Sequence, residues 1–146
     1  MRKSLLLLGL IASAASAQLP GLRKRGPQPT QPVLQGIDAL RADFAAQAGG
    51  TTVYFGADSV ILGAPAKSAL ALQAAWLRRH PEVVARVEGY GDGGDTRDHA
   101  LAVGARRAGE VRGYLLLLGV PAAQVSTTSW GKERAGLGRA VTVLVR

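Results

Sequence analysis

The chain has 146 residues, with 18 lysines and arginines against 10 aspartates and glutamates and a formal net charge of +8. A chain of this length predicts one domain with extensions, and its basic excess favours an acidic partner such as nucleic acid, anionic lipid or an anionic polymer. The sequence contains no cysteine, which excludes disulfide bonds and a thiol nucleophile.

The histidines and aspartates do not form a recognisable catalytic or metal-binding motif. We interpret His80 as a cation at a helix end and His99 as an exposed residue of a first helical turn, and neither has a serine or acid at a motif spacing. Asp92, Asp95 and Asp98 recur every third residue, whereas a calcium loop uses alternate residues. We therefore predict no enzymatic activity, no cofactor and no metal ion.

Residues 1–17 predict a secretory signal peptide. A positive start is followed by the short apolar run 4–12 and by the small residues 15–17 of a cleavage site. The run is shorter than the roughly 20 residues that span a bilayer. We expect a mature chain that begins at Gln18 in the periplasm, without a transmembrane segment and, lacking a cysteine, without a lipid anchor. Export argues against nucleic acid, so we predict no nucleic-acid partner.

Residues 18–49 predict a linker that contains one short helix. Four prolines, two glycines and the basic triplet 23–25 occupy residues 18–32 without a hydrophobic period. A helix at about 33–48 follows from apolar residues spaced three to four apart, and Gly49 and Gly50 end it. The domain itself is predicted at residues 50–146.

The first half of the domain predicts a strand, a helix and a second strand. Residues 51–55 are β-branched and aromatic, as in a strand. Pro65 is tolerated in the first turn of a helix that continues over residues 66–79, and Pro81 stops it. Residues 83–88 predict the second strand, with one apolar face. The expected apolar residues of the helix are Ala69, Leu70, Leu72, Ala74, Trp76 and Leu77.

A long helix and two more strands complete the domain. The helix is predicted at about 97–118, ended by Gly119, and strands are predicted at 125–130 and 140–145. The order β-α-β-α-β-β predicts an α/β fold of the α+β sandwich type, a four-stranded mixed sheet with two main helices on one face. The expected buried stripe of the long helix is Leu101, Ala105, Ala108, Val111, Leu115 and Leu118.

The loop before the long helix, residues 89–94, spells G-x-G-x-x-G. We do not assign dinucleotide binding, because Asp92 inside the loop would repel a pyrophosphate and four strands are too few for a doubly wound sheet. Asp95 instead predicts the N-cap of the helix. Asp98 lies in the first turn, where the helix dipole favours an acid.

Asp92 and the arginine pair Arg106–Arg107 are the candidates for ligand binding. A carboxylate binds an ammonium and a guanidinium binds a carboxylate, so together they fit a zwitterion such as an amino acid displayed on a polymer. Glycines beside Asp92 let backbone N–H groups approach the carboxylate of the ligand. A second interpretation remains open, in which Asp92 caps a turn and the arginines cover the helix surface.

Several stretches of the domain match one family in the right order. The longest runs from V-E-G-Y-G-D-G-G-D-T-R-D-H at residues 87–99 to the Y-L at residues 114–115, and shorter ones lie at 52–58, 74–81, 118–125, 129–134 and 139–143. Over residues 50–146 the chain resembles the peptidoglycan-binding OmpA-like C-terminal domain, in the branch of the peptidoglycan-associated lipoproteins. The resemblance implies non-covalent binding to diaminopimelate in the stem peptides of peptidoglycan, in the Gram-negative cell envelope.

The resemblance also implies site residues. It places the main contacts on Asp92 and on Arg107, fifteen residues later, and diaminopimelate is a zwitterion. Further candidates are Ala57, Asp58, Gly91 and Arg106. Because neither Asp92 nor Arg107 belongs to the predicted apolar stripe, we expect substitutions of either to change thermal stability little.

The chain departs from the family at four places. The family usually has His or Asn at Tyr90, Asn at Ala100 and Ser at Ala102, and it has a longer segment where residues 135–138 stand. The shorter segment predicts an open rim at the site. Tyr90 and the shorter segment favour an alternative function, in which a degenerate module contacts an envelope protein of the Tol type instead of peptidoglycan, whereas the Asp92–Arg107 spacing favours peptidoglycan.

Overall fold

A computed structural model describes residues 36–146; the predicted signal peptide and the residues of the linker before residue 36 lie outside the described residues. The first helix, α1 (Ile37–Gln47), falls within the predicted range. Its Phe44 is buried, with the ring centroid 5.0 Å from that of Trp76. Phe44 and Ala48 belong to the buried cluster at the core of the domain, so the helix that the sequence placed in the linker packs on the folded domain.

Four strands form one sheet in the order β1-β4-β2-β3. β2 and β3 are parallel, whereas β4 runs antiparallel to both β1 and β2. This arrangement confirms the predicted four-stranded mixed sheet. The strands are β1 (Thr52–Tyr54), β2 (Ala85–Tyr90), β3 (Val125–Gly131) and β4 (Arg139–Leu144).

Two long helices, α2 (Ala64–Arg79) and α3 (Arg97–Leu117), complete the main core. Alternate residues of β2 and β4 share one buried cluster with both helices. A 3-10 turn, Ala122–Gln124, precedes β3 and was not predicted. Within residues 36–146, no helix has both the length and the apolar content needed to cross a bilayer.

The second strand lies two residues later in the chain than predicted. Val83 and Val84 make turn and terminal hydrogen bonds instead, to His80 and Arg146. The ladder continues through Gly89 and Tyr90, which pair with β3. The sequence prediction failed here because a glycine was taken as the start of a loop.

The buried faces of the helices were only partly predicted. In α2, Leu72 is half exposed and Gln73 is buried in its place. Gln73 is satisfied inside the core, because Thr142 Oγ1 donates to its Oε1 at 2.7 Å. In α3, Leu101 and Ala105 are exposed, whereas Ala108, Val111 and Leu115 are buried as expected. Arg107, which lies between Ala105 and Ala108 in the sequence, is also fully buried.

Two glycines determine how closely α3 approaches the sheet. A Cβ added to Gly89 of β2 would lie 1.8 Å from the carbonyl oxygen of Gly104 in α3, and one added to Gly104 would lie 2.5 Å from Ser129 Oγ. Since real Cβ atoms do not come this close, the two backbones can touch only with glycine at both positions. This contact sets the position of α3 beside the end of β2.

Candidate ligand-binding site

The site lies where β1 and β2 end beside α3. Asp92 follows β2, and residues Gly56–Ser59, which we term the rim loop, follow β1. Arg107 reaches the same place from the third turn of α3, and its guanidinium lies 5.2 Å from the centroid of the Phe55 ring. The structure therefore brings together Asp92 and Arg107, as the sequence predicts.

All five N–H groups of the Arg107 guanidinium donate hydrogen bonds within the protein. Nε donates to the Ser59 carbonyl at 2.9 Å, and Nη1 donates to the Tyr90 carbonyl at 2.8 Å. Nη2 donates to the Gly56 carbonyl at 3.0 Å. The two remaining bonds go to Asp92, from Nη1 to Oδ1 at 3.0 Å and from Nη2 to Oδ2 at 3.2 Å.

Burial of Arg107 contradicts one sequence interpretation and argues against a second expectation. Its side chain is 0% exposed, so it does not cover the helix surface, and substituting it should cost stability. Removing one side of a buried charge pair is strongly destabilising, because the other side stays buried without a partner. The buried guanidinium therefore predicts that Arg107 substitutions lower the stability of the fold, the opposite of the expectation from the sequence.

Asp92 is held in its ionised form and still reaches solvent. Its side chain is 24% exposed. The hydrogen bonds from Arg107 hold the pKa of the Asp92 carboxyl below its ordinary value, and partial burial opposes this effect. Such a carboxylate keeps oxygen lone pairs for a cation that approaches from solvent.

The rim loop is tied to the pair by Asp58. The backbone N–H of Asp58 donates to Asp92 Oδ2 at 2.6 Å. Asp58 has a φ of +49°, a left-handed conformation that aspartate tolerates better than most residues. Its side-chain Oδ1 accepts a hydrogen bond from His99 Nε2 at 2.9 Å. Sequence reasoning missed this contact, because 41 residues separate the two side chains and no local spacing links them.

The other candidate residues, Ala57, Arg106 and Gly91, differ in their exposure and in their contacts. Ala57 and Arg106 are exposed, Ala57 in the rim loop and Arg106 on the outer surface of α3. The N–H of Gly91 donates to the Gly131 carbonyl at 2.8 Å, so it does not offer a donor to a ligand. A Cβ on Gly91 would lie 2.4 Å from the carbonyl oxygen of Ala100, and this contact with α3 explains the glycine.

The N-cap of α3 is Thr96 and not Asp95. Thr96 has an extended backbone, and its hydroxyl accepts from the His99 N–H at 3.3 Å. Threonine at this position satisfies one free N–H of the first turn. The Asp95 carboxylate lies 3.7 Å from His99 Nε2 instead, while Asp98 occupies the first turn as predicted.

The short segment between β3 and β4 packs against the site, which contradicts the predicted open rim. The N–H of Gly138 donates to the Gly91 carbonyl at 2.9 Å, and its carbonyl accepts from the Phe55 N–H at 2.9 Å. Lys132 Nζ donates to the Asp95 carbonyl at 2.5 Å. This short connection is enough because the backbone of Gly138 bonds directly to the segments that follow β1 and β2.

Tyr90 does not place its ring in the site. Its hydroxyl donates to Glu88 Oε2 at 3.3 Å, and Arg139 lies 5.7 Å from its ring centroid. Since Gly89 faces α3, alternation along the strand directs Glu88 and Tyr90 to the other face of the sheet. Of Tyr90, only the backbone carbonyl takes part in the site, where it accepts a hydrogen bond from Arg107.

Known proteins resemble this chain in sequence. A family model described as the OmpA family matches residues 54–138. The peptidoglycan-associated lipoprotein of Agrobacterium fabrum is 44% identical over 85 residues, which cover 58% of this chain and 48% of that protein. The protein of the same name from Rhizobium meliloti is 34% identical over 131 residues, 86% of this chain and 74% of that one. The chain thus spans about half the length of the first relative.

Solved structures resemble it in fold. The crystal structure of the peptidoglycan-associated lipoprotein from Burkholderia pseudomallei has 32% sequence identity and a TM-score of 0.63, covering 66% of this chain and 92% of that chain. The OmpA-like domain of FopA1 from Francisella tularensis, at 21% identity, covers 64% of this chain and 72% of that one with a TM-score of 0.58, which supports the fold alone. With more than half of its residues matched by the family model, this chain belongs to the OmpA family.

Proposed function

We propose that this protein binds peptidoglycan non-covalently in the cell envelope, through the diaminopimelate of the stem peptides, and that it acts in the periplasm without catalysis. The observation that carries the proposal is the ionised, partly exposed carboxylate of Asp92 beside the buried Arg107. The names of the peptidoglycan-associated relatives support peptidoglycan as the ligand. The Asp92 carboxylate is suited to bind an ammonium group of its stem peptides.

Asp92 is the residue that we assign to the ammonium group of the ligand. Its carboxylate is fixed by two bonds from Arg107 and one from the Asp58 N–H, so little entropy is lost when a cation binds. A pre-organised, charge-assisted hydrogen bond of this kind is roughly twice as strong as a neutral one.

Arg107 has a different role from the one that the sequence suggested. Because its five donors are occupied, it fixes Asp92 and the rim loop, and we assign it as a positioning residue. A direct bond to the carboxylate of diaminopimelate would require the Gly56 or Ser59 carbonyl to release its donor.

The experiment is a pull-down on purified sacculi with Asp92→Asn, which removes the charge and keeps the shape. We expect a loss of affinity of roughly 10- to 100-fold, as for removal of one partner of a partly buried charge pair. Asp98→Asn is the matched control, because it makes the same chemical change at an exposed acid of the same helix start, and it should bind like wild type.

Competition with free diaminopimelate distinguishes the ligand from the polymer as a whole. Free diaminopimelate should release wild-type protein from sacculi, and an equal concentration of lysine, which lacks the second amino-acid centre, should release less. If Asp92→Asn stays folded and binds sacculi like wild type, the proposal is wrong. Contact with an envelope protein of the Tol type, the alternative, would then be the function to test.

A further inference from the structure

Among the described residues, three side chains outside the rim loop make hydrogen bonds to it: Arg107, Asp92 and His99. His99 Nε2 lies 2.9 Å from Asp58 Oδ1. Since a carboxylate oxygen only accepts, Nε2 must carry the proton. The contact therefore runs from the first turn of α3 to the loop after β1.

Asp58 transmits this contact to the site. Its side chain meets His99, and its own backbone N–H meets Asp92 Oδ2 at 2.6 Å. Asp58, at φ +49°, lies in a turn that the Ser59 N–H closes on the Gly56 carbonyl at 3.1 Å, and its bonds to His99 and Asp92 fix that turn relative to the loop before α3 and to α3 itself. Losing the His99 contact would loosen the N–H that helps to fix the Asp92 carboxylate.

The charges around His99 favour its imidazolium form. The hydrogen bond with Asp58, followed by the nearby charge of Asp95, raises the pKa of His99 above its ordinary value, while slight burial and Arg106 oppose the rise. Asp92 is a further charged group nearby, and His99 helps to lower its pKa. Groups from the rim loop, the loop before α3 and α3 itself thus face the ring.

We propose that His99 is a positioning residue for the candidate site, which holds Asp58, and through it the rim loop, over the Asp92–Arg107 pair. This inference rests on the proposed function for its biological role, but the contact itself can be measured without a ligand. The ion pair is present when His99 is protonated, and it is lost as the pH rises through the raised pKa of His99. Ligand binding should therefore weaken towards alkaline pH.

The first measurement is the NMR titration of the two imidazole rings in the full chain, which has two histidines in all. Asp58→Asn keeps an acceptor and tolerates positive φ but removes the charge, so it should lower the midpoint of His99. His80, which stacks on Trp76 at 3.8 Å, is the internal control and should not move. An unchanged midpoint for His99 would overturn the inference.

The second measurement is binding to sacculi from about pH 5.5 to about pH 8.5, on either side of the ordinary histidine pKa of about 6.5. Wild-type affinity should fall over this range by about two- to fivefold more than that of His99→Gln, in keeping with an exposed ion pair. The side chains of His99 and Asp58 are 51% and 70% exposed, so both variants should fold, which a thermal melt checks.

The two proposals fail in different ways. If wild type binds at every pH and His99→Gln has the same pH profile, the positioning role of His99 is overturned and the proposed function stands. If wild type does not bind sacculi at any pH, the proposed function is overturned together with the role of His99 in it. In that case the NMR titration still decides whether the His99–Asp58 ion pair exists.

Discussion

Two buried side chains, Trp76 and Arg107, each bond to a partly exposed aspartate at different places in the fold. Trp76 is 0% exposed and its single donor, Nε1, reaches Asp43 Oδ2 at 2.8 Å. Arg107 is equally buried, but it donates five hydrogen bonds to four residues. The first pair joins α1 to α2, and the second joins α3 to the loops at the ends of β1 and β2.

The comparison shows that equal burial has different physical origins. An indole ring is stabilised mainly by the apolar area that it removes from water, and one hydrogen bond satisfies its only polar atom. A guanidinium gains little from burial and is costly unless each donor and its charge are matched. Trp76 therefore needs close apolar packing and one acceptor, whereas Arg107 needs a partner for each of its five donors.

The largest effect is expected from Arg107→Ala. It removes the charge beside Asp92 and leaves the carbonyls of Gly56, Ser59 and Tyr90 without their donor, so unfolding free energy should fall by about 3–5 kcal/mol. Urea unfolding measures this. Arg106→Ala, at the exposed neighbouring position, should stay within about 0.5 kcal/mol of wild type. Equal stabilities for the two variants would contradict the buried network.

A smaller effect is expected from Trp76→Phe. The change keeps an aromatic ring against Phe44 but deletes the Nε1 donor to Asp43 and leaves a void, so stability should fall by about 2 kcal/mol. Sacculus binding at a temperature where the variant is folded should not change, because the hydrogen bond and ring contacts of Trp76 are with Asp43, Phe44 and His80, which lie outside the rim loop. A loss of binding in the folded variant would show that the two regions are coupled.

The smallest effect is expected in acid. The hydrogen bond from Trp76 lowers the pKa of Asp43, as that from Arg107 lowers the pKa of Asp92. A carboxyl with a lowered folded-state pKa contributes stability above its unfolded value of about 4, and this is lost as the pH falls through the folded-state pKa. The free energy of unfolding, measured from about pH 6 to about pH 2, should therefore fall less steeply in Asp92→Asn and Asp43→Asn than in wild type.

The comparison also predicts which of the two variants, Asp92→Asn or Asp43→Asn, changes the pH dependence of stability more. Asp92 accepts from a guanidinium at both oxygens, whereas Asp43 accepts from the neutral donors Trp76 and Gln47. Charge-assisted bonds are stronger, so Asp92→Asn should flatten the acid limb of the stability curve more than Asp43→Asn. The opposite order would mean that solvent reaches the Asp92–Arg107 pair more freely than its 24% and 0% exposures indicate.

The elements of the domain could be predicted because local signals mark them. Prolines and glycines bound the helices, and β-branched runs mark the strands, so all four strands and both long helices were found near their observed positions. The buried faces of the helices were predicted less well, because a prediction from hydrophobic periodicity assumes that every residue of the buried stripe is apolar. Leu101 was assigned to the core on that basis, and it is 45% exposed.

The sequence by itself determined the order of the elements, the mixed four-stranded sheet, and Asp92 with the pair Arg106–Arg107 as candidates, of which the family resemblance singled out Arg107. Only the tertiary structure decided that Arg107 is buried, because the Gly89–Gly104 contact brings α3 against the sheet and three backbone carbonyls from separate segments converge on one guanidinium. It also decided the contact between Asp58 and His99. Such contacts depend on how distant segments pack, and neither periodicity nor capping signals within a segment carry that information.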